Sequence, residues 1–129
     1  MSMIATYSTR QNRDRFEPEA NLDPQDQRRL RGHLEQIDYA AFAANREVMS
    51  KTVGDTDITT FEKLAIAAAL ARGKWVAAAV KLTGVTNTPT PEQVAHLAVL
   101  RRAYEELTDA YDALRRMVER GYVPYRAKP

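Results

Sequence analysis

A chain of 129 residues, of which 44% are hydrophobic and 28% charged, has the composition of one globular domain and not of a disordered chain. No apolar run reaches the roughly 18 residues that a transmembrane helix needs. The absence of cysteine excludes disulfides and thiolate metal sites, and two histidines are too few for a histidine-rich site. We therefore expect no cofactor and no metal.

The net charge of +2 is spread along the chain and forms no basic block. The N-terminal sequence has no apolar run long enough for a signal peptide, so we expect a cytoplasmic protein. Residues 1–22 lack helical periodicity and are interpreted as an extended N-terminal arm. Residues 23–121 then form the folded domain, and residues 122–129 form a short C-terminal tail.

The first helix is predicted over residues 24–53. Asp23 is a suitable N-cap, Pro24 occupies the first helical position, and Gly54 follows the end. Its apolar residues alternate in spacing between four and three: Leu30, Leu34, Ile37, Ala41, Ala44 and Val48. This spacing is typical of a helix that packs along one stripe.

The second helix is predicted over residues 59–83, with Thr59 and Glu62 as a capping box and Gly84 as a left-handed C-cap. The apolar seam consists of Phe61, Leu64, Ala68, Ala71, Trp75, Ala78 and Leu82.

The third helix is predicted over residues 91–120, with a second capping box formed by Thr90 and Gln93 and with Gly121 after its end. Its seam contains Leu97, Leu100, Tyr104, Leu107, Tyr111, Leu114 and Val118. Three helices of similar length with short connections predict an all-α, antiparallel three-helix bundle with coiled-coil-like seams.

The second helix has more apolar surface than a three-helix bundle buries. A second seam lies roughly 140° around the helix from the first and contains Ile66, Leu70, Gly73, Ala77 and Val80. We interpret it as an interface with another copy of the chain or with a larger assembly. Two alternatives are a cover formed by the arm or the tail, and a membrane-surface helix whose polar sector is Lys63, Lys74 and Lys81.

The first helix carries a further apolar patch away from its seam, formed by Tyr39, Phe42 and Met49. We expect either a partner or the N-terminal arm to cover it. Arg72 lies within the apolar arc of the second helix, and a buried guanidinium needs a partner. We therefore expect Arg72 to be paired with a carboxylate or to be exposed.

Candidate chemical groups are few. His96 follows Glu92 by four residues, whereas metal-binding bundles use Glu-x-x-His pairs supplied twice. His33 has no partner motif, and Tyr104 and Tyr111 either pack between helices or line a ligand slot. No nucleophile set or phosphate-binding loop is present, so we expect a protein that is not an enzyme.

The sequence therefore favours a non-enzymatic interaction or assembly subunit, of a size and Arg/Ala-rich composition that fit a bacterial or phage structural protein. The alternative hypothesis is a small nucleic-acid-associated regulator, and an enzyme or enzyme accessory subunit ranks third. The nucleic-acid contacts would be Arg10, Arg13, Arg15, Arg28, Arg29 and Arg31.

Overall fold

The computed structural model describes residues 23–127, which form three α-helices and no strand. Helix α1 spans Pro24–Thr52, α2 spans Ile58–Val85 and α3 spans Pro91–Glu119. The predicted all-α, three-helix fold class is confirmed. The predicted arm, residues 1–22, lies outside the described residues.

Local capping residues explain where α1 and α3 begin. The Asp26 N–H donates to Asp23 Oδ1 at 2.8 Å, which satisfies one of the free amides in the first turn of α1. At α3 the capping box is complete, because the Gln93 N–H donates to Thr90 Oγ1 at 3.2 Å and the Thr90 N–H donates to Gln93 Oε1 at 2.9 Å. Both predicted caps are confirmed.

The ends of α2 differ from the prediction. Asp57, not Thr59, is the N-cap, and its Oδ1 accepts from the Thr60 N–H at 3.1 Å. The prediction of a left-handed Gly84 was wrong, because α2 continues through Gly84 to Val85. An extended Thr86 closes the helix by donating its N–H to the Leu82 carbonyl at 3.1 Å.

The chain divides into two compact units, Met1–Ala40 and Ala41–Pro129, with the boundary inside α1. In the second unit α2 packs closely against α3 along the two predicted seams. Seam side chains such as Phe61, Trp75 and Tyr104 are half-buried, and Leu114 is buried. The heptad spacing therefore identified the contact faces of this helix pair correctly.

The predicted seam of α1 is exposed. In the first unit Leu30, Leu34 and Ile37 are 45%, 50% and 61% exposed. Farther along the helix, in the second unit, Val48 is 55% exposed. The apolar period therefore predicts the helix correctly, but these side chains are not core residues.

The deepest burial in the second unit lies where the C-terminal tail meets the loop between α1 and α2. Thr56 and Val123 are each 2% exposed. The Thr56 N–H donates to the Pro124 carbonyl at 2.9 Å, and the Arg126 N–H donates to the Thr56 carbonyl at 2.8 Å. These bonds form a parallel bridge between Thr56 and Tyr125. We call this contact the tail clamp.

The tail clamp contains a buried hydroxyl, Thr56 Oγ1, that lacks a hydrogen-bond partner among the described residues. Because an unsatisfied buried hydroxyl is unfavourable and valine has the same shape, Thr56→Val should raise the free energy of unfolding by about 1 kcal/mol. Thermal denaturation should show a higher midpoint, by roughly 4–8 °C for a domain of this size. The same substitution at the exposed Thr52 is the control, and we expect no change. A lower midpoint for Thr56→Val would contradict this account.

Candidate functional site

In the second unit, α2 has an apolar face on the side away from α3 that the other described residues leave exposed. It consists of Ile66, Ala69, Leu70, Gly73, Val76, Ala77 and Val80, and we call it the outer face of α2. Ile66, Leu70 and Val80 are 59%, 61% and 67% exposed. All five residues predicted as the second seam, Ile66, Leu70, Gly73, Ala77 and Val80, thus lie on one exposed surface.

Gly73 lies at the centre of this face. A Cβ atom built on Gly73 would have no heavy atom of residues 23–127 within 4 Å, so the described part of the chain supplies no close neighbour there. Ala69 and Gly73 also border two adjoining depressions of about 470 Å³ and 610 Å³. The smaller depression is on the outer face, and the larger is an open groove between α2 and α3.

Tyr104 and Tyr111 border the groove and also pack against α2. Tyr104 stacks on Trp75 with ring centroids 6.1 Å apart, and Tyr111 meets the Phe61 ring edge-on at 5.5 Å. Aromatic pairs in these geometries stabilise the fold by about 0.5–1.5 kcal/mol beyond the contribution from burying the rings. The two tyrosines therefore combine the two roles that the sequence left open, packing between helices and forming a wall of the groove.

Arg72 is exposed at the edge of the same groove, so it is not a buried, unpaired guanidinium. Whether this sector lies at an interface, as the sequence analysis expects when Arg72 is exposed, stays a prediction. Its guanidinium carbon lies 5.9 Å from the centroid of Tyr104. On the other side of the stack, the guanidinium carbon of Arg101 lies 5.5 Å from the centroid of Trp75. The two arginines thus flank the Trp75–Tyr104 stack and hold their charge next to solvent.

The second predicted patch is partly covered by the chain itself. The Phe42 ring lies 5.4 Å from the ring of Tyr122, and both Phe42 and Met49 are half-buried. Met49 and Tyr122 also border a depression of about 260 Å³. Tyr39, in the first unit, remains 71% exposed. The sequence did not identify Tyr122 as the cover, because the two aromatic residues are far apart in the chain.

The two histidines lie on the surfaces of α1 and α3. Glu92 and His96 are exposed and border a shallow depression of about 310 Å³, and His33 is exposed on α1. Within residues 23–127, no group of three potential metal-ligating side chains lies close enough to hold an ion. The depression beside His96 is lined by three polar side chains, Glu92, Gln93 and His96, and by an apolar wall.

The arginines proposed for nucleic-acid contact have local roles where they are described. Arg28 Nε donates to the Pro24 carbonyl at 3.3 Å, and Arg29 forms an ion pair with Asp26 at 3.7 Å. Arg31 is exposed. Arg28 and Arg29 point about 100° apart around the helix axis. Arg10, Arg13 and Arg15 lie outside the described residues.

Comparison with known proteins gives no relative: no family model matches the chain, and neither the curated proteins nor the solved structures include a match. None of the three helices in residues 23–127 is long and apolar enough to cross a membrane.

The exposure of Arg72 leads to a test by substitution. Because a cation–π contact at an exposed site contributes about 0.5–1 kcal/mol, Arg72→Ala should lower the free energy of unfolding by no more than that amount. Urea denaturation, monitored through the fluorescence of Trp75, the single tryptophan, measures this change in the free energy of unfolding. A loss of several kcal/mol would show that Arg72 belongs to a buried charge pair instead.

The cover on Phe42 can be tested with a neighbouring aromatic residue. Phe42→Ala should lower the free energy of unfolding by about 1–2 kcal/mol, because it removes a half-buried ring and its contact with Tyr122. Tyr39→Ala is the matched control and should change it by less than about 0.5 kcal/mol, because that ring is exposed. Equal effects of the two substitutions in thermal denaturation would contradict the assigned contact.

Proposed function

We propose that this protein is a non-enzymatic helical assembly subunit, which associates with copies of itself or docks into a larger complex through exposed apolar helix surfaces. The outer face of α2 is the observation that carries the proposal. It places three large aliphatic side chains, each about 60% exposed, around a glycine with open space. Continuous apolar surfaces of this kind are typical of interaction sites.

The size of the face supports a helix-sized partner. At 1.5 Å per residue the face extends about 21 Å from Ile66 to Val80, and a helix is about 10 Å wide, so the face covers roughly 200 Å² in projection. A standard interface buries about 800 Å² of accessible surface per partner. The adjoining groove between α2 and α3 extends the apolar surface towards that value.

The energetics favour an interface built from several side chains. Complete burial of an Ile, Leu or Val side chain contributes roughly 1.5–3 kcal/mol, so the remaining exposed part of each contributes about 1–2 kcal/mol. Association costs an estimated 4–15 kcal/mol. A pair of such faces contributes about 6–12 kcal/mol from these three side chains, which is of the same order as this cost. The association should therefore depend on concentration.

The proposal predicts that a charge on the outer face of α2 prevents association. Leu70→Glu should reduce the mass measured by light scattering to that of the single chain, because the carboxylate would have to be buried in the interface. Helical circular dichroism should be unchanged, because Leu70 is exposed in the single chain.

Val99→Glu is the matched control, since Val99 is 67% exposed on α3 and lies outside the outer face of α2. It should keep the mass of the unsubstituted protein. Two results would contradict the proposal: an unsubstituted chain that is monomeric at all concentrations and binds no partner, or equal effects of the two substitutions. Binding of nucleic acid that weakens steeply with salt, together with a monomeric chain, would support the regulator hypothesis instead.

A further inference from the structure

Both borders of the outer face of α2 carry positive charge. Lys63, Lys74 and Lys81 point within about 20° of one another and lie along one border, about 80–100° around the helix from Gly73. We call these three residues the lysine row. Arg72 lies on the other border, about 100° from Gly73 in the opposite direction. The apolar face is therefore enclosed between cations on its two long sides.

The cations of α2 lack acidic partners in the part of the chain that the structure describes. The helix contains four of them against a single acid, Glu62, which lies near its N-terminal end. None of the four forms an ion pair with residues 23–127. Five cations elsewhere each lie beside a carboxylate: Arg29, Lys51, Arg101, Arg115 and Arg126. The charges along the outer face are thus the ones that an acidic molecule would neutralise.

The shape of the outer face fits the side of another helix. A row of small side chains runs along its centre: Ala69, Gly73 and Ala77. Larger exposed side chains form a ridge on each side of this row: Ile66 and Leu70 in one ridge, and Val76 and Val80 in the other. A ridge of residues spaced by three in a partner helix fits a groove of residues spaced by four at a crossing angle of about 20°. At this small angle the partner runs beside the lysine row, which is about 27 Å long.

We propose that the outer face of α2 binds an amphipathic helix of another protein, in which Asp and Glu border the apolar stripe. This inference rests on the proposed function and names the chemistry of the partner. The partner's carboxylates pair with the lysine row and with Arg72, and its apolar side chains fill the groove around Gly73. An apolar centre with a charged rim is the usual anatomy of a protein interface. A partner helix of about 18 residues reaches from Lys63 to Lys81.

Charge favours this partner over a second α2 helix. If two outer faces packed antiparallel, the lysine row of one copy would lie beside the lysine row of the other. If they packed parallel, the lysine row would lie beside Arg72 of the partner copy. Both arrangements bring like charges together, whereas an acidic helix forms opposite-charge contacts on both borders.

The face also fits a helix better than an anionic lipid surface. The aromatic side chains of α2, Phe61 and Trp75, pack against tyrosines of α3, and none lies on the outer face. Helices that lie on membranes typically place Trp, Phe or Leu on their apolar side. Glycine and alanine along the centre let a helix backbone approach closely but add little apolar area for lipid. The two occupants therefore respond differently to a larger side chain at Gly73.

A designed helical peptide is the probe for the full-length protein. It has about 21 residues, enough to span the lysine row, with Leu and Ala on one stripe and Glu on both borders. A matched basic peptide carries Lys at the Glu positions. Fluorescence anisotropy of the labelled peptides measures the two dissociation constants at low and at high salt. We expect the acidic peptide to bind at least about tenfold more tightly than the basic one, with an affinity that decreases as salt increases.

Lys74→Glu tests the contribution of charge. It should weaken binding of the acidic peptide by about tenfold and strengthen binding of the basic peptide, because it reverses the central charge of the lysine row. Arg102→Glu is the matched control, since Arg102 is exposed on α3 and makes the same change in net charge away from the outer face of α2. It should change both affinities by less than about twofold.

Gly73→Leu tests the shape of the face. It should weaken binding of the acidic peptide by about tenfold, because the new side chain occupies the groove that the partner helix needs. The variant should keep its helical circular dichroism, since no described heavy atom lies within 4 Å of a Cβ at this position. Binding to vesicles of anionic phospholipid would not weaken, because leucine adds apolar surface. Leu70→Glu should abolish binding of the acidic peptide and reduce the mass of this complex to that of the single chain.

The outcomes separate this inference from the proposed function. Equal binding of the two peptides, or of neither, would overturn the acidic partner, while association that Leu70→Glu prevents would leave the assembly function standing. Vesicle binding that Lys74→Glu abolishes and Gly73→Leu does not weaken, without binding of the acidic peptide, would assign the face to a membrane. Self-association with which the acidic peptide does not compete would assign it to a second copy. Each of these two results would overturn the inference, and a monomeric chain that binds no partner would contradict the proposed function as well.

Discussion

The tail clamp is the contact on which the second unit depends. Thr56 and Val123 are the most deeply buried residues of the described chain, and two backbone hydrogen bonds join Thr56 to the tail. At the opposite end, a connection of five residues, 86–90, links α2 directly to α3. The helix pair is therefore held at both ends, by the clamp at one and by the connection at the other. This arrangement fixes the orientation of α2 and leaves one of its sides uncovered by residues 23–127.

Most of the secondary structure was predictable because its signals are local. Asp23 and Thr90 each cap a helix by accepting a hydrogen bond from the backbone N–H three residues later. The heptad spacing likewise depends only on neighbouring turns of one helix. The tail clamp was not predictable, since Thr56 and Tyr125 are distant in sequence and form only one bridge. Gly84 shows a different limit, within the local signals: a glycine near a helix end is compatible with a left-handed cap, but α2 continues past it and Thr86 closes the helix by donating its N–H to the Leu82 carbonyl.

For the candidate site, the sequence predicted which residues share a face but not what contacts that face. The sequence identified the residues of the outer face of α2, because a helix that is apolar on nearly all sides has more surface than one neighbour covers. For α1 the same reasoning identified an apolar stripe but wrongly assigned it to the core of the bundle, since Leu34 and Ile37 are exposed. Periodicity shows that a face is suited to a neighbour. It does not distinguish a neighbour in the same chain from one in another molecule.

The composition of α2 gives a further physical reason to assign its outer face to an interaction. Alanine is the best helix former, and α2 has many alanines, so its helical structure does not require other residue types at exposed positions. Ile66, Val76 and Val80 are β-branched, and each is less favourable than alanine in a helix by up to about 0.7 kcal/mol, while Gly73 is less favourable by about 1 kcal/mol. In an isolated α2 these four residues would lower helix stability without any compensating contact. Their presence on one face supports the proposal that this face contacts another molecule, because local preferences are generally broken where another requirement applies.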